Sequence, residues 1–232
     1  MRLRSLSPMT ELLVGLGLIT LVLVLVVDAT AAGIGMWAKH RSDEFVALPA
    51  SLDVAGVPER TVLLDTHNRP FAWFWDQDRQ SVPAQGMSPA VREAVVAVED
   101  ARFYDNKGVD LLATTRALLH NLSSGEHEGG STITQQYVKN LLVVRARSRD
   151  GQQAAVELSA QRKMAEARYA LSLTQRMTKD DILTGYLNVA FFGRNAYGVQ
   201  AAAETYFGTD ARRLTLPQAA LVAGLVKNPA GF

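Results

Sequence analysis

The hydrophobic pattern divides the 232-residue chain into three stretches. The first is nearly continuous. "LLVGLGLITLVLVLVV", residues 12 to 27, carries no charge and softens through "DATAAGIGMW" after Asp28. Such a run approaches the ~20 residues that span a bilayer. Arg2 and Arg4 precede it and Glu11 is the only acid there, so the excess of basic residues places residues 1–11 in the cytoplasm and everything after Trp37 outside. A cleaved signal peptide is the alternative, with Ala29-Thr30-Ala31 as its small-residue cleavage site. The apolar run is at the long end for a signal sequence, which favours an uncleaved anchor over 12–37.

The second stretch, 38–60, is polar and mixed, with Pro49 and Pro58, and reads as a juxtamembrane linker. "RTVLLD" (60–65) and the aromatic "FAWFW" (71–75), separated by "THNRP", predict a small hairpin. From Ser88 the period becomes helical. Ser88 is placed as an N-cap with Pro89 in the first helical position. Val91, Val95, Val98 and Arg102 recur at helical spacing, which puts Glu99 at the border of the apolar stripe and Asp100 nearly opposite it. Further helices are predicted over 111–122, 131–144, 155–176, 179–190, 197–206 and 215–226. Thr178 is expected to cap one of them with a box closed by Asp181, and Thr215 the last, with Pro217 in its first turn. The soluble part is therefore mainly α, with no internal repeat.

Composition narrows the partners. With 48% hydrophobic and 20% charged residues the chain can build one domain with a real core and a smaller attached element. A net charge of +1 argues against nucleic acid as a partner. Cysteine is absent, which excludes disulfides and cysteine-type zinc sites. His40, His67, His120 and His127 have no metal-site spacing.

Three clusters carry candidate chemistry. Glu99-Asp100 is followed by Arg102, Phe103 and Tyr104 and closed by Gly108-Val109-Asp110. "GGSTITQQYVKN" (129–140) sets Gly130, Ser131, Thr132, Gln135, Gln136, Lys139 and Asn140 in one polar segment. It suits a polar substrate, and composition alone leaves it equally an ordinary polar loop before a helix. In "QRKMAEARYAL" (161–171), Arg162 and Glu166 share a helix face with Tyr169 and Leu173, and Lys163 sits one step around. A surface pair at this spacing contributes ~0.3–0.5 kcal/mol and is the plainer reading. The functional reading is a carboxylate in a cationic surround, suited to offsetting charge on a pyrophosphate leaving group. Two carboxylates, a basic cluster and an amide- and hydroxyl-rich loop together suggest sugar chemistry, with one carboxylate as base.

"EDARFYDNKGVD", "GGSTITQQYVKN", "RKMAE", "DDILTGYLNVAFFG" and "GVQAAAETYFG" resemble, in order, the motifs of bacterial peptidoglycan glycosyltransferases. These are the glycosyltransferase domains of class A penicillin-binding proteins and their monofunctional relatives. The similarity runs from about Thr61 to the end, which implies a glycosyltransferase domain over 61–232. The resemblance implies a mainly α, lysozyme-like lobe with a hydrophobic jaw region, preceded by one N-terminal transmembrane helix. It implies polymerisation of lipid II into glycan strands, with β-1,4 bonds, inversion and release of undecaprenyl pyrophosphate. Glu99 matches the general base, and partial burial makes a carboxylate a better acceptor for a hydroxyl proton. Glu166 matches the second glutamate, thought to help place the pyrophosphate, with a divalent cation (Mg or Mn) as a further expectation and no organic cofactor. Lys139, Arg162 and Lys163 match basic positions near the phosphates. Ser131, Thr132, Gln135 and Gln136 match the polar loop, and Asp100, Phe103, Gly130 and Asn140 join them as expected substrate-binding positions. The expected partners are lipid II, the growing glycan strand, the cytoplasmic membrane and cell-wall synthesis proteins. The expected location is the cell membrane, single-pass, with the catalytic domain outside.

The chain departs from the family in places. Asn106 stands where the family usually has histidine. It cannot carry a proton, and is expected to be structural. The segment between Lys139 and Arg162 is long, and Leu158 occupies a usual arginine position, with Arg145, Arg147 or Arg149 as substitutes that spacing does not separate. "LVKNPAGF" ends at Phe232, where relatives continue, and no S-x-x-K or K-T-G of the penicillin-binding chemistry occurs. The expectation is a truncated class A protein or fragment. Two other functions stay open: a non-catalytic envelope protein that binds lipid II or partners, and a lysozyme-like hydrolase.

Overall fold

The computed structural model describes residues 51–54, 56–124, 129–146, 148–156, 159–227 and 229, with isolated residues between 35 and 45. The apolar block 12–27 lies outside the described residues, and among those described no helix is long and apolar enough to cross a membrane. Residues Met1–Leu48 and Pro49–Phe232 form separate compact units, and the second carries the fold below.

The predicted hairpin is present. Strand β1 (Thr61–Leu64) runs antiparallel to β2 (Pro70–Phe74), with Val62 opposite Trp73. The turn forms because Asp65 Oδ1 accepts from the amides of His67 at 2.7 Å and Arg69 at 2.9 Å, while Asn68 takes φ +60°. A second pairing has no counterpart in the sequence pattern. Strand β3 (Asp78–Arg79) lies parallel to β4 (Ala196–Tyr197). Two-residue strands are too short to show a period.

The remainder is helical: α1 (Pro89–Glu99), α2 (Leu111–Ser124), α3 (Ile133–Arg145), α4 (Arg149–Val156), α5 (Ala160–Arg176), α6 (Lys179–Val189), α7 (Val199–Phe207) and α8 (Leu216–Lys227). Their starts follow local chemistry. Ser88, Thr132, Ser159 and Thr178 each accept a backbone N–H three residues on. Glycines at φ +89° and +61° (Gly198 and Gly208) bracket α7. Helix α3 is central: Ile133, Val138 and Leu141 are buried with Leu173 of α5 and Ile182, Leu183 and Leu187 of α6. Gly185 permits the closest approach, since a Cβ there would lie 2.5 Å from the Tyr137 ring.

Two expectations are corrected. The helix predicted over 155–176 is two elements, because Ser159 caps a new helix at Ala160 while α4 begins earlier, at Arg149. The apolar stripe of α1 buries Val91 and Val95 but leaves Val98 44% exposed. Glu99, four residues beyond Val95, is half-buried, and Asp100 turns inward rather than away. The helix stops at Glu99 and Asp100 adopts φ −158°, so the 100° rotation per residue no longer applies to its side chain.

Candidate active site

Helices α1, α3 and α6 bring Glu99, Gln136 and Tyr186 together. Gln136 Nε2 donates to Glu99 Oε2 at 2.7 Å, and the Tyr186 hydroxyl donates to Gln136 Oε1 at 2.9 Å. The second oxygen, Glu99 Oε1, is buried and accepts no hydrogen bond among the described residues. A carboxylate held through one oxygen keeps a fixed orientation, as a general base requires. Glu99 is one wall of a cleft of about 440 Å³ lined also by Gln77, Lys139, Asn140, Val143, Phe191 and Tyr197.

Lys139 joins this cleft to a second cluster. Burial lowers its pKa, Glu166 raises it, Lys163 and Arg162 lower it, and Glu99 raises it; the net direction is below the ordinary lysine value. Glu166 is fully buried, with Oε1 paired to Arg162 Nη1. Its Oε2 lies 3.1 Å from Lys163 Nζ, close enough for an ion pair but not aligned for a hydrogen bond. Lys163 Nζ also donates to Ser131 Oγ at 2.8 Å. The surface ion pair that spacing favours is thus an interior one, which geometry rather than spacing decides. Glu166 is enclosed by the cations of Arg162 and Lys163. Among the described residues no group of three histidine or acidic side chains could hold a metal ion. With both Glu166 oxygens turned to cations, the residues present do not fit a metal held by protein alone.

The other predicted site residues divide. Thr132 and Gln135 are buried in a capping box: Thr132 Oγ1 accepts from Gln135 N at 3.1 Å, and Gln135 Oε1 accepts from Thr132 N at 3.0 Å. Thr132 Oγ1 also donates to Gly108 O at 2.7 Å. Both residues therefore shape the start of α3. Gly130 packs on α2, where a Cβ would meet Thr114 Cα at 2.9 Å. Phe103 is a fully buried core residue with Lys179 Nζ over its ring at 4.5 Å. Asp100 is buried and ties the end of α1 to the start of α3. It accepts from Ile133 N at 3.1 Å and from Asn106 Nδ2 at 3.2 and 3.0 Å. Desolvation raises its pKa against these bonds and the charge of Lys179, while the Asp110 charge adds to the rise. Asn106 bonds to groups of the protein through both ends of its amide. Its Oδ1 accepts from Gly108 N at 2.9 Å and from Lys179 Nζ at 3.0 Å, so its amide is used on both sides. Of the substitute arginines, Arg145 pairs with Asp53 at 3.0 Å. Arg147, the Arg149 side chain and Leu158 lie outside the described residues.

Sequence reasoning missed Tyr186, Gln77 and Tyr197. Tyr186 sits in "DDILTGYLNVAFFG", where its spacing from Ile182 and Leu183 marks a core position and nothing marks its hydroxyl. Gln77 and Tyr197 reach the cleft only through the β3–β4 pairing.

Comparison with known proteins follows this geometry. A family described as Transglycosylase matches residues 67–232. Penicillin-binding protein 2D of Bacillus subtilis (strain 168) is 38% identical over 178 residues, covering 76% of this chain and 24% of the relative. Penicillin-binding protein 1A of Mycobacterium tuberculosis is 43% identical over 139 residues, 60% of this chain and 16% of the relative. Penicillin-binding protein 1A of Streptococcus pneumoniae is 35% identical over 167 residues, 72% of this chain and 22% of the relative. The chain thus spans about a quarter or less of the length of these relatives.

Proposed function

The chain belongs to the transglycosylase family, and from that premise we propose that it is a peptidoglycan glycosyltransferase that polymerises lipid II. The observation that carries the assignment of roles is that Glu99, held by Gln136, lines one cleft with Lys139. The Glu99 carboxylate takes the proton from the 4-hydroxyl of the acceptor sugar. The resulting oxygen attacks the anomeric carbon of the donor from the face opposite the pyrophosphate. The carbon–oxygen bond to the pyrophosphate breaks, the configuration inverts, and undecaprenyl pyrophosphate leaves with the bonding electrons. Lys139, Arg162 and Lys163 offset the charge that gathers on the leaving group. Glu166 keeps the two cations of α5 in place, and no step runs through a metal.

The same reading assigns a lysozyme-like lobe with a jaw to the domain from residue 61, a linker to 38–60, and a membrane anchor to 12–37 with residues 1–11 cytoplasmic. It is supported by the uncharged apolar run and by Arg2 and Arg4 before it. The growing glycan strand, the membrane surface and cell-wall synthesis proteins are the partners it implies.

The test is incubation of the protein with lipid II and, separately, with finished glycan. Polymer from lipid II, lost in Glu99→Gln with the fold unchanged by circular dichroism, is the expected result. Glu99→Gln keeps size and polarity but cannot take the proton. Normal polymerisation by that variant would remove Glu99 from the role. Shortening of finished glycan without polymer from lipid II would favour a hydrolase, and inactivity on both a non-catalytic envelope protein.

A further inference from the structure

The hydrogen-bond chain that ends on Glu99 begins at a residue with no assigned role. Tyr186 lies on α6 between buried Leu183 and Leu187 and is itself 1% exposed. Its hydroxyl is 2.9 Å from Gln136 Oε1, and Gln136 Nε2 is 2.7 Å from Glu99 Oε2. A primary amide has two ends of nearly equal shape, one that accepts and one that donates. With Nε2 turned to Glu99, the Gln136 oxygen lies on the far side of the amide and needs a donor there. Tyr186 supplies the donor. Burial first, and the Glu99 charge second, push its pKa further above the ordinary phenol value, so the hydroxyl keeps its proton.

We propose that Tyr186 is a positioning residue for the reaction: by donating to Gln136 Oε1 it anchors the Gln136 amide, which in turn holds Glu99 Oε2 and so fixes the carboxylate that accepts the proton. This rests on the assignment of Glu99 as base. It adds a third helix to the device. The carboxylate comes from the end of α1, the amide from the second turn of α3 and the phenol from α6. The packing of α3 on α6 thereby sets the rotamer of the acid on α1. The packing face also explains why α6 carries a tyrosine where the apolar period alone would be met by phenylalanine. The ring fills the core position and the hydroxyl is the part that reaches the site.

The experiment measures lipid II polymerisation by the full chain in four variants, with thermal melting as the check on folding. Tyr186→Phe is expected to lower kcat about tenfold, the scale of one buried hydrogen bond, with KM within about twofold. Gln136→Met, which keeps the bulk and removes both ends of the amide, is expected to lower kcat at least as much. Adding Tyr186→Phe to Gln136→Met is expected to cost nothing further, because both act through one link. A packing role for the hydroxyl would instead multiply the two losses in full, and that result overturns the proposal. So does wild-type kcat in Tyr186→Phe. Should Tyr186→Phe fail to fold, Gln136→Met still decides: an unchanged kcat in that variant removes the link through which Tyr186 is held to act. Glu99→Gln is the fourth variant and separates the two levels. If it keeps activity, the base assignment falls; if it is inactive while Tyr186→Phe is normal, only the positioning role falls.

Discussion

Lys139 lies among two carboxylates and two other cations, and what its ammonium can do depends on which influence wins. Burial wins, and its pKa sits below the ordinary lysine value. The sign follows directly: as pH rises, a lysine of lowered pKa loses its proton, and with it the charge that attracts a pyrophosphate, earlier than an exposed lysine does. The profile of kcat/KM reports the unliganded protein. Its alkaline limb is therefore expected to fall below the ordinary lysine range in the wild type. Lys139→Arg should carry the limb to higher pH at some loss of absolute rate, since guanidinium stays charged. A limb unmoved by Lys139→Arg would assign that ionisation to another group. At this scale the sequence told much about residue type and little about which atoms meet. Gln135 and Gln136 are adjacent and alike in "TITQQ", yet one closes a capping box and the other holds Glu99. Which glutamine turns which way follows from the helical rotation after Thr132, and so from where α3 begins.

The start of α3 is an element held from three directions. Thr132 accepts from Gln135 N, donates to Gly108 O and shares a box with Gln135, while Asp100 receives Ile133 N. Gly108 makes this possible at φ +96°, where a Cβ would sit 2.5 Å from Ala170 O. Thr132→Ala removes the cap and leaves the Gly108 carbonyl without that donor. The expected cost is about 1–2 kcal/mol in urea unfolding, and Thr132→Ser should recover most of it. A Thr132→Ala variant as stable as wild type would mean that the cap is dispensable and that Asp100 alone anchors the helix. Caps of this kind were legible because they are local: Ser88, Thr178 and the hairpin turn all stand where residue type placed them. The break before Ala160 was less legible. Ser159 is a good cap, but the apolar and polar residues around it continue a helical period on both sides.

Across the whole molecule, contacts far apart in sequence decide which local elements meet. The segment 60–80 is stitched to the C-terminal half: Arg60 and Gln80 both reach Glu204, at 3.2 and 2.6 Å, and β3 lies beside β4. No periodicity announces such pairings, which is why Gln77 and Tyr197 escaped notice as cleft residues while the helices around them did not. One side chain makes a two-bonded stitch. Asn188 Oδ1 accepts from Val82 N at 3.0 Å and Asn188 Nδ2 donates to Val82 O at 2.9 Å, so an asparagine on α6 pairs with a stretch of main chain as a strand would. Replacing it by alanine leaves a half-buried N–H and C=O without partners. Each orphaned group costs about 1–3 kcal/mol, so Asn188→Ala is expected to destabilise by about 2–4 kcal/mol. In a domain of this size that corresponds to a drop in Tm of roughly 5–15 °C. Asn188→Asp keeps the acceptor for Val82 N but offers Val82 O no donor, and should fall between the two. Urea unfolding distinguishes this local loss from a looser native state. The midpoint should move while the m value stays constant, since the surface exposed on unfolding is unchanged. A fall in m in Asn188→Ala would show instead that the segment around Val82 has come away from the domain before the main transition, and that this stitch closes the lobe as well as stabilising it.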